Sequence, residues 1–131
     1  MIGLDTNVVI RYLTQDDPVQ SPLANRVMET LTADDPGFLC RGVLVEIAWV
    51  LERAYKVPKE DIVAAIEGLL STEELIVETA DQVGRALAAY RRGQGGFADA
   101  MIVAATIDCG ASELVTFDGS AAQLTGARQI R

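Results

Sequence analysis

Short apolar segments alternate with helix-length stretches along this chain, and that alternation constrains the fold more than any other feature. Met1 to Leu4, Phe38-Leu39-Cys40, Leu75-Ile76-Val77 and Leu114 to Phe117 are apolar throughout, not at every second residue. Strands of this kind belong to parallel sheets covered on both faces. Between them run helical spacings: Val8, Val9, Tyr12 and Leu13; Leu23, Val27 and Leu31; Val43 to Tyr55; Ile62, Ile66, Leu69 and Leu70; Ala80 to Arg92, with Val83, Leu87 and Tyr90 on one side; and Phe97 to Cys109. Asp17-Pro18 marks a helix start, with aspartate as N-cap and proline at the first helical position, and Gly110 marks a helix stop. Asp34-Asp35-Pro36-Gly37 and Gly93-Gln94-Gly95-Gly96 are breaks. A short helix at Ala121 to Leu124 and a weak strand at Arg128 to Ile130 follow. The expected architecture is α/β, a three-layer α/β/α sandwich on one small, mainly parallel central sheet. At 131 residues, with no repeat and no linker, residues 1–131 read as a single domain.

Composition then narrows the chemistry. The chain has no histidine, which removes Ser-His-Asp and Cys-His catalysis, a histidine base and histidine-bound zinc, copper or iron. An enzyme built from these residues runs on carboxylates, on a metal they hold, or on a cofactor. Nineteen acidic against 11 basic residues give a formal charge of −8, which argues against non-specific coating of nucleic acid or anionic membranes. Lys56 and Lys59 are the only lysines, so the positive charge is mostly arginine. Cys40 and Cys109 sit in apolar segments and read as buried thiols of a reduced protein. The first residues show no basic region and no export-type apolar stretch. No segment approaches the roughly 18 apolar residues of a membrane span, so a soluble, cytoplasmic protein is expected.

Four acids stand apart from the usual solvated ones. Asp5 closes the first strand, Glu46 lies inside Val43-Leu44-Val45-Glu46-Ile47-Ala48-Trp49-Val50, Asp99 is the only charge between Gly93 and Ile107, and Asp118 closes the last clear strand. Each has an ordinary reading beside the functional one. Asp5 and Asp118 could cap the helices that follow them, Asp99 could complement a helix dipole, and Glu46 could be an exposed residue on a buried helix. Taken together they say more. In a parallel sheet, strand-ending residues meet at the carboxyl edge, where ligands bind, and carboxylates gathered there need a cation. An oxygen-only pocket suits Mg²⁺ or Mn²⁺, metals that serve phosphodiester hydrolysis, in some cases as a pair roughly 4 Å apart.

Leu4-Asp5-Thr6-Asn7, Glu46 within Val43-Leu44-Val45-Glu46, Phe97-Ala98-Asp99-Ala100-Met101-Ile102 and Thr116-Phe117-Asp118 resemble, in order and spacing, the motifs of PIN-domain proteins. In length the chain looks like the VapC toxins of bacterial type II toxin–antitoxin pairs. The resemblance implies a metal-dependent ribonuclease, usually dimeric, that cleaves particular RNAs and is silenced by a cognate antitoxin. It implies Asp5, Glu46, Asp99 and Asp118 as the metal site, with Asn7 and Thr116 supporting those carboxylates by hydrogen bonding. For Asn7 a helix cap and for Thr116 an ordinary strand threonine remain open. Some relatives carry a further acid where this chain has Gly96, which leaves a second metal less well supported. Arg11, Arg41 and Arg53 are candidates for phosphate or antitoxin contacts, and equally for surface solvation. The helix carrying Trp49, Leu51 and Tyr55, with Ile62 to Leu70 after it, forms either a partner groove or plain core.

Rival readings keep the sheet and change the chemistry. A Mg²⁺-dependent phosphoryl-transfer domain would make Asp5 the phospho-acceptor. Haloacid-dehalogenase-type phosphatases place a second aspartate where Asn7 stands, and receiver-type domains need a lysine on a late strand that this chain lacks. A non-catalytic nucleotide-binding module would use Gly93-Gln94-Gly95-Gly96 to cradle phosphate, but that segment follows a helix and lacks a P-loop lysine. An inactive interaction protein on the same fold has no support while all four acids are present.

Overall fold

A computed structural model describes residues 1–93 and 95–131. Gln94, in the glycine-rich break expected before the last long helix, lies outside the described residues; its neighbours Gly93 and Gly95 take left-handed φ values of 82° and 70°, which glycine adopts without strain. The chain divides into two compact units, Met1–Ala80 and Asp81–Arg131.

In the first unit, β1 (Ile2–Gly3), β2 (Gly37–Leu39) and β3 (Leu75–Val77) form a parallel sheet in the order β1-β2-β3. Ile2 pairs with Gly37 and Leu39 with Val77. Gly37 is glycine for space, since a Cβ there would lie 2.8 Å from Leu4 Cδ1 and 2.9 Å from Leu31 Cδ1. The helices are α1 (Thr6–Thr14), α2 (Gln20–Thr30), α3 (Arg41–Arg53) and α4 (Lys59–Ser71). Because the strands are parallel, the chain leaves β1 at Asp5 and β2 at Arg41 on the same edge, so α1 and α3 start side by side. Their inner faces hold Val9, Ile10, Leu44 and Ile47, all buried.

The second unit holds α5 (Ala80–Arg91), α6 (Phe97–Asp108), a parallel pair β4 (Leu114–Thr116) and β5 (Ala127–Gln129), and a 3₁₀ turn at Ala121–Gln123. Tyr90 and Phe97 meet edge to face, ring centroids 5.9 Å apart, a favoured aromatic geometry.

The α/β class with parallel strands holds, and each expected element appears within a few residues of its place. Five details differ. The strands pair as two sheets among the described residues, not as one. The three-layer α/β/α arrangement covers some strand positions less than expected: Ile2, Ile76 and Val115 are about half exposed, since alternate strand side chains face opposite ways. The buried stripe of α2 runs through Ser21, Ala24 and on to Leu31, while Leu23 is exposed. That helix begins at Gln20 with Val19, not Asp17, as its N-cap, after a turn at Pro18 and Val19 in which Asp17 Oδ1 accepts from Val19 N and Gln20 N. Cys109 is exposed and Cys40 half-buried, because each flanks a helix end instead of facing a core. Finally, α3 is not apolar all round: Gly42, Glu46, Trp49 and Arg53 form an exposed stripe, so Trp49 is not core, whereas Leu51 is. No helix among the described residues is long and apolar enough to cross a membrane.

Candidate functional site

The start of α1 builds the site. Asp5 sits in extended backbone as the N-cap of α1, its Oδ1 accepting from Thr6 N at 2.8 Å. The next residue is the hinge of the arrangement. Thr6 shares the inner face of α1 with Val9 and Ile10 and is buried, so its hydroxyl needs a partner. It donates to Glu46 Oε1 at 2.9 Å. One residue thus holds both acids, Asp5 through its backbone and Glu46 through its side chain. Thr6 is the candidate site residue that sequence reasoning missed. The signal was present, because helical spacing puts it on the apolar face of α1.

Asp5, Thr6, Asn7, Arg11, Glu46 and Tyr55 line one cleft of about 470 Å³, with Ile10, Val50 and Ala54 as its apolar walls. Asn7 also borders a second cleft, of about 220 Å³, between α1 and α2, and its amide makes no hydrogen bond among the described residues. Arg11 lines both clefts and is held firmly. Its Nε donates to Gln20 Oε1 at 2.8 Å, and Nη1 donates to Asp16 Oδ1 at 3.2 Å and to Tyr55 OH at 3.1 Å. The Tyr55 hydroxyl in turn donates to Asp16 Oδ2 at 2.9 Å, and Thr14 Oγ1 donates to Asp16 Oδ1 at 2.7 Å. The Thr14 and Tyr55 hydroxyls, in that order, hold the Asp16 carboxyl below its usual range, with Arg11 adding to them. For the Arg11 guanidinium desolvation is the largest influence and lowers its pKa, but Tyr55 and Asp16 outweigh it and leave it raised. The Nη2 edge of Arg11 makes no bond within the described residues.

Arg41 and Arg53 lie elsewhere on α3, outside that lining. Arg41 pairs with Glu78, Nε to Oε1 at 3.6 Å, while Glu78 Oε1 also accepts from Arg41 N at 2.8 Å and so caps α3. Arg53 is exposed in the last turn.

In the second unit, Asp99 is the third residue of α6, and its Oδ2 accepts from Gly96 N at 3.4 Å, a long bond that ties it back to the helix start. Asp118 Oδ1 accepts from Ser120 N at 2.8 Å and Ala121 N at 3.4 Å, capping the 3₁₀ turn. Thr116 Oγ1 accepts from Asp118 N at 3.0 Å, so Thr116 fixes the backbone of Asp118 and not its carboxylate.

All four acids share one feature. Each has one oxygen anchored by the chain, and the other makes no bond among the described residues. Capping and ligand binding therefore do not compete for the same atom. No group of three or more His, Cys, Asp or Glu side chains able to hold a metal forms among the described residues. The donor set of the first cleft, two carboxylates with a hydroxyl and an amide, is still the oxygen-only chemistry that Mg²⁺ and Mn²⁺ accept, since such ions often use one or two carboxylates plus substrate phosphate.

The chain is 27% identical over 114 residues to a VapC ribonuclease of Aquifex aeolicus, spanning 87% of this chain and 84% of that protein. A crystal structure of the Mycobacterium tuberculosis toxin VapC20, which cleaves the sarcin-ricin loop, matches at 23% identity over 92% of both chains with a TM-score of 0.47. The profile of the PIN domain matches residues 2–126, nearly the whole length, and the chain belongs to the PIN domain family.

Proposed function

We propose that this chain is a metal-dependent endoribonuclease, one PIN domain acting as the toxin of a type II toxin–antitoxin pair. The observation that carries this reading is the cleft in which Thr6 holds Asp5 and Glu46 together beside the open edge of Arg11. The VapC ribonuclease relative supports the substrate class. Asp99 and Asp118 are assigned to the same acidic set by their motifs.

The chain's own residues then divide the work. The unanchored oxygens of Asp5 and Glu46 would hold the cation, with Thr6 keeping Glu46 from turning away. A Mg²⁺ or Mn²⁺ held there would supply charge stabilisation at the scissile phosphate and a water of lowered pKa for in-line attack. Arg11, with its Nε and Nη1 committed to Gln20, Asp16 and Tyr55, offers both Nη2 protons to a non-bridging phosphate oxygen. A guanidinium fixed in this way loses little entropy on binding an anion. The free amide of Asn7 offers a further donor to the phosphate or ribose. No lysine lines the cleft, which disfavours the receiver-type phosphoryl-transfer alternative.

A homodimer, a cognate antitoxin that covers the cleft, and a cytoplasmic working location complete the proposal. The test is cleavage of total bacterial RNA by the purified chain with Mg²⁺ or Mn²⁺, with and without EDTA. Cleavage that requires the metal supports the reading, and cleavage that survives chelation overturns it.

A further inference from the structure

The exposed stripe of α3 has a use that the acidic cleft does not exhaust. Glu46, Trp49 and Arg53 follow one another at i, i+3 and i+7 and are all exposed, Trp49 at 58%. Residues spaced this way share one helix face. Helical side chains lean toward the N-terminus, so the indole of Trp49 reaches back toward the turn that carries Glu46. On the far side stands Arg53, which makes no ion pair among the described residues. Carboxylate, indole and unpaired guanidinium therefore line up outward from the cleft that Glu46 borders.

The geometry points to Trp49 as the stacking platform for a base of single-stranded RNA next to the bond being cut, with Arg53 meeting the phosphate beyond it. The inference rests on the ribonuclease reading above. A flat aromatic face takes any base and is the usual device for gripping unpaired nucleotides. A docking helix or a second copy of this chain fits less well. Either would need a broad apolar stripe, and Trp49 is the only large apolar side chain of α3 that is exposed, set among Gly42, Glu46, Glu52 and Arg53. In a chain with eight more acidic than basic residues, an arginine left unpaired beside it suits an anionic partner.

Trp49 is the sole tryptophan, so its fluorescence reports on this site alone. The experiment mixes the full chain with total bacterial RNA and Mg²⁺ in a stopped-flow fluorimeter, and measures cleavage by wild type, Trp49→Phe and Trp49→Ala. Quenching of the indole before cleavage is expected. The alanine variant should raise KM roughly 5- to 150-fold, matching the loss of one stacked base. The phenylalanine variant should fall between the two, with kcat little changed. Wild-type KM in Trp49→Ala, or indole emission unmoved by RNA that wild type cleaves, overturns the inference. So does emission that shifts with protein concentration and not with RNA, which would assign the indole to a second copy. Failure of wild type to cleave any RNA would instead remove the ribonuclease reading beneath it.

Discussion

The two compact units treat their candidate acids differently. In Met1–Ala80, Asp5, which precedes α1, and Glu46, within α3, are joined by a third residue, the buried Thr6, through its backbone N–H and its hydroxyl. In Asp81–Arg131, Asp99 and Asp118 are each anchored locally, by the backbone of the segment they cap. The first arrangement needs tertiary structure to exist, whereas the second would form in any helix or turn with an aspartate at that place. A cap is therefore weak evidence against function. The cap uses one oxygen and orients the carboxylate, and the other oxygen remains available.

Asparagine separates the two roles, because it caps about as well as aspartate but carries no charge. Asp99→Asn and Asp118→Asn should keep the melting temperature within a degree or two and lower RNA cleavage by more than about a hundred-fold, beyond the usual loss from a supporting residue. Full activity in both variants would reduce the acids of the second unit to caps. The next largest effect belongs to Thr6. Thr6→Val keeps the backbone bond to Asp5 but frees Glu46, and should reduce metal-dependent cleavage about 10- to 100-fold, with Thr6→Ser restoring most of it. Tyr55→Phe removes one hydroxyl from the frame around Arg11. A roughly 2- to 5-fold rise in KM with kcat retained is expected, the scale of one hydrogen bond. Equal loss of kcat would place Tyr55 closer to the reacting atoms.

The smallest effect is on stability. Hydrogen bonds from Arg85, and then from Gln82, hold the Asp108 carboxyl at about 2. A carboxyl depressed in the folded state stabilises the fold above its unfolded pKa, about 3.9, and that contribution vanishes as pH falls toward the folded value. Melts of Asp108→Asn should show a lower melting temperature than wild type at pH 6 and a smaller difference by pH 2. Parallel curves across that range would show that the pair with Arg85 contributes nothing to the pH dependence.

Much of this was legible in the residues. Helical spacing and the Pro and Gly breaks located α3, α4, α5 and α6 to within a few residues, because those signals are local. Facing directions were harder. Leu23 read as inward and is exposed, and Trp49, left open between groove and core, is exposed too, since the phase of a helix depends on what packs against it. Ile76 and Val115 read as covered for the same reason: an apolar strand does not say how many of its faces are met. At the site, Asp5 and Glu46 were visible as acids out of place, and the link between them was not. Thr6 read as part of a motif, and only its place on the buried face of α1, beside Val9 and Ile10, reveals why its hydroxyl must find Glu46. Asn7 and Thr116 illustrate the reverse. Both sit where a supporting role was expected, yet Thr116 bonds the backbone of Asp118 and the Asn7 side-chain amide makes no hydrogen bond among the described residues.

Each acid presents one anchored oxygen and one that is open among the described residues, and the proposed cation site uses the open ones. Titration of the full chain with Mn²⁺, followed by the electron paramagnetic resonance of the free ion, tests it directly. Wild type should bind Mn²⁺ saturably, and Asp5→Asn and Asp118→Asn should each weaken that binding at least about ten-fold while melting like wild type. Binding in Asp5→Asn equal to wild type, or no saturable binding at all, would contradict it.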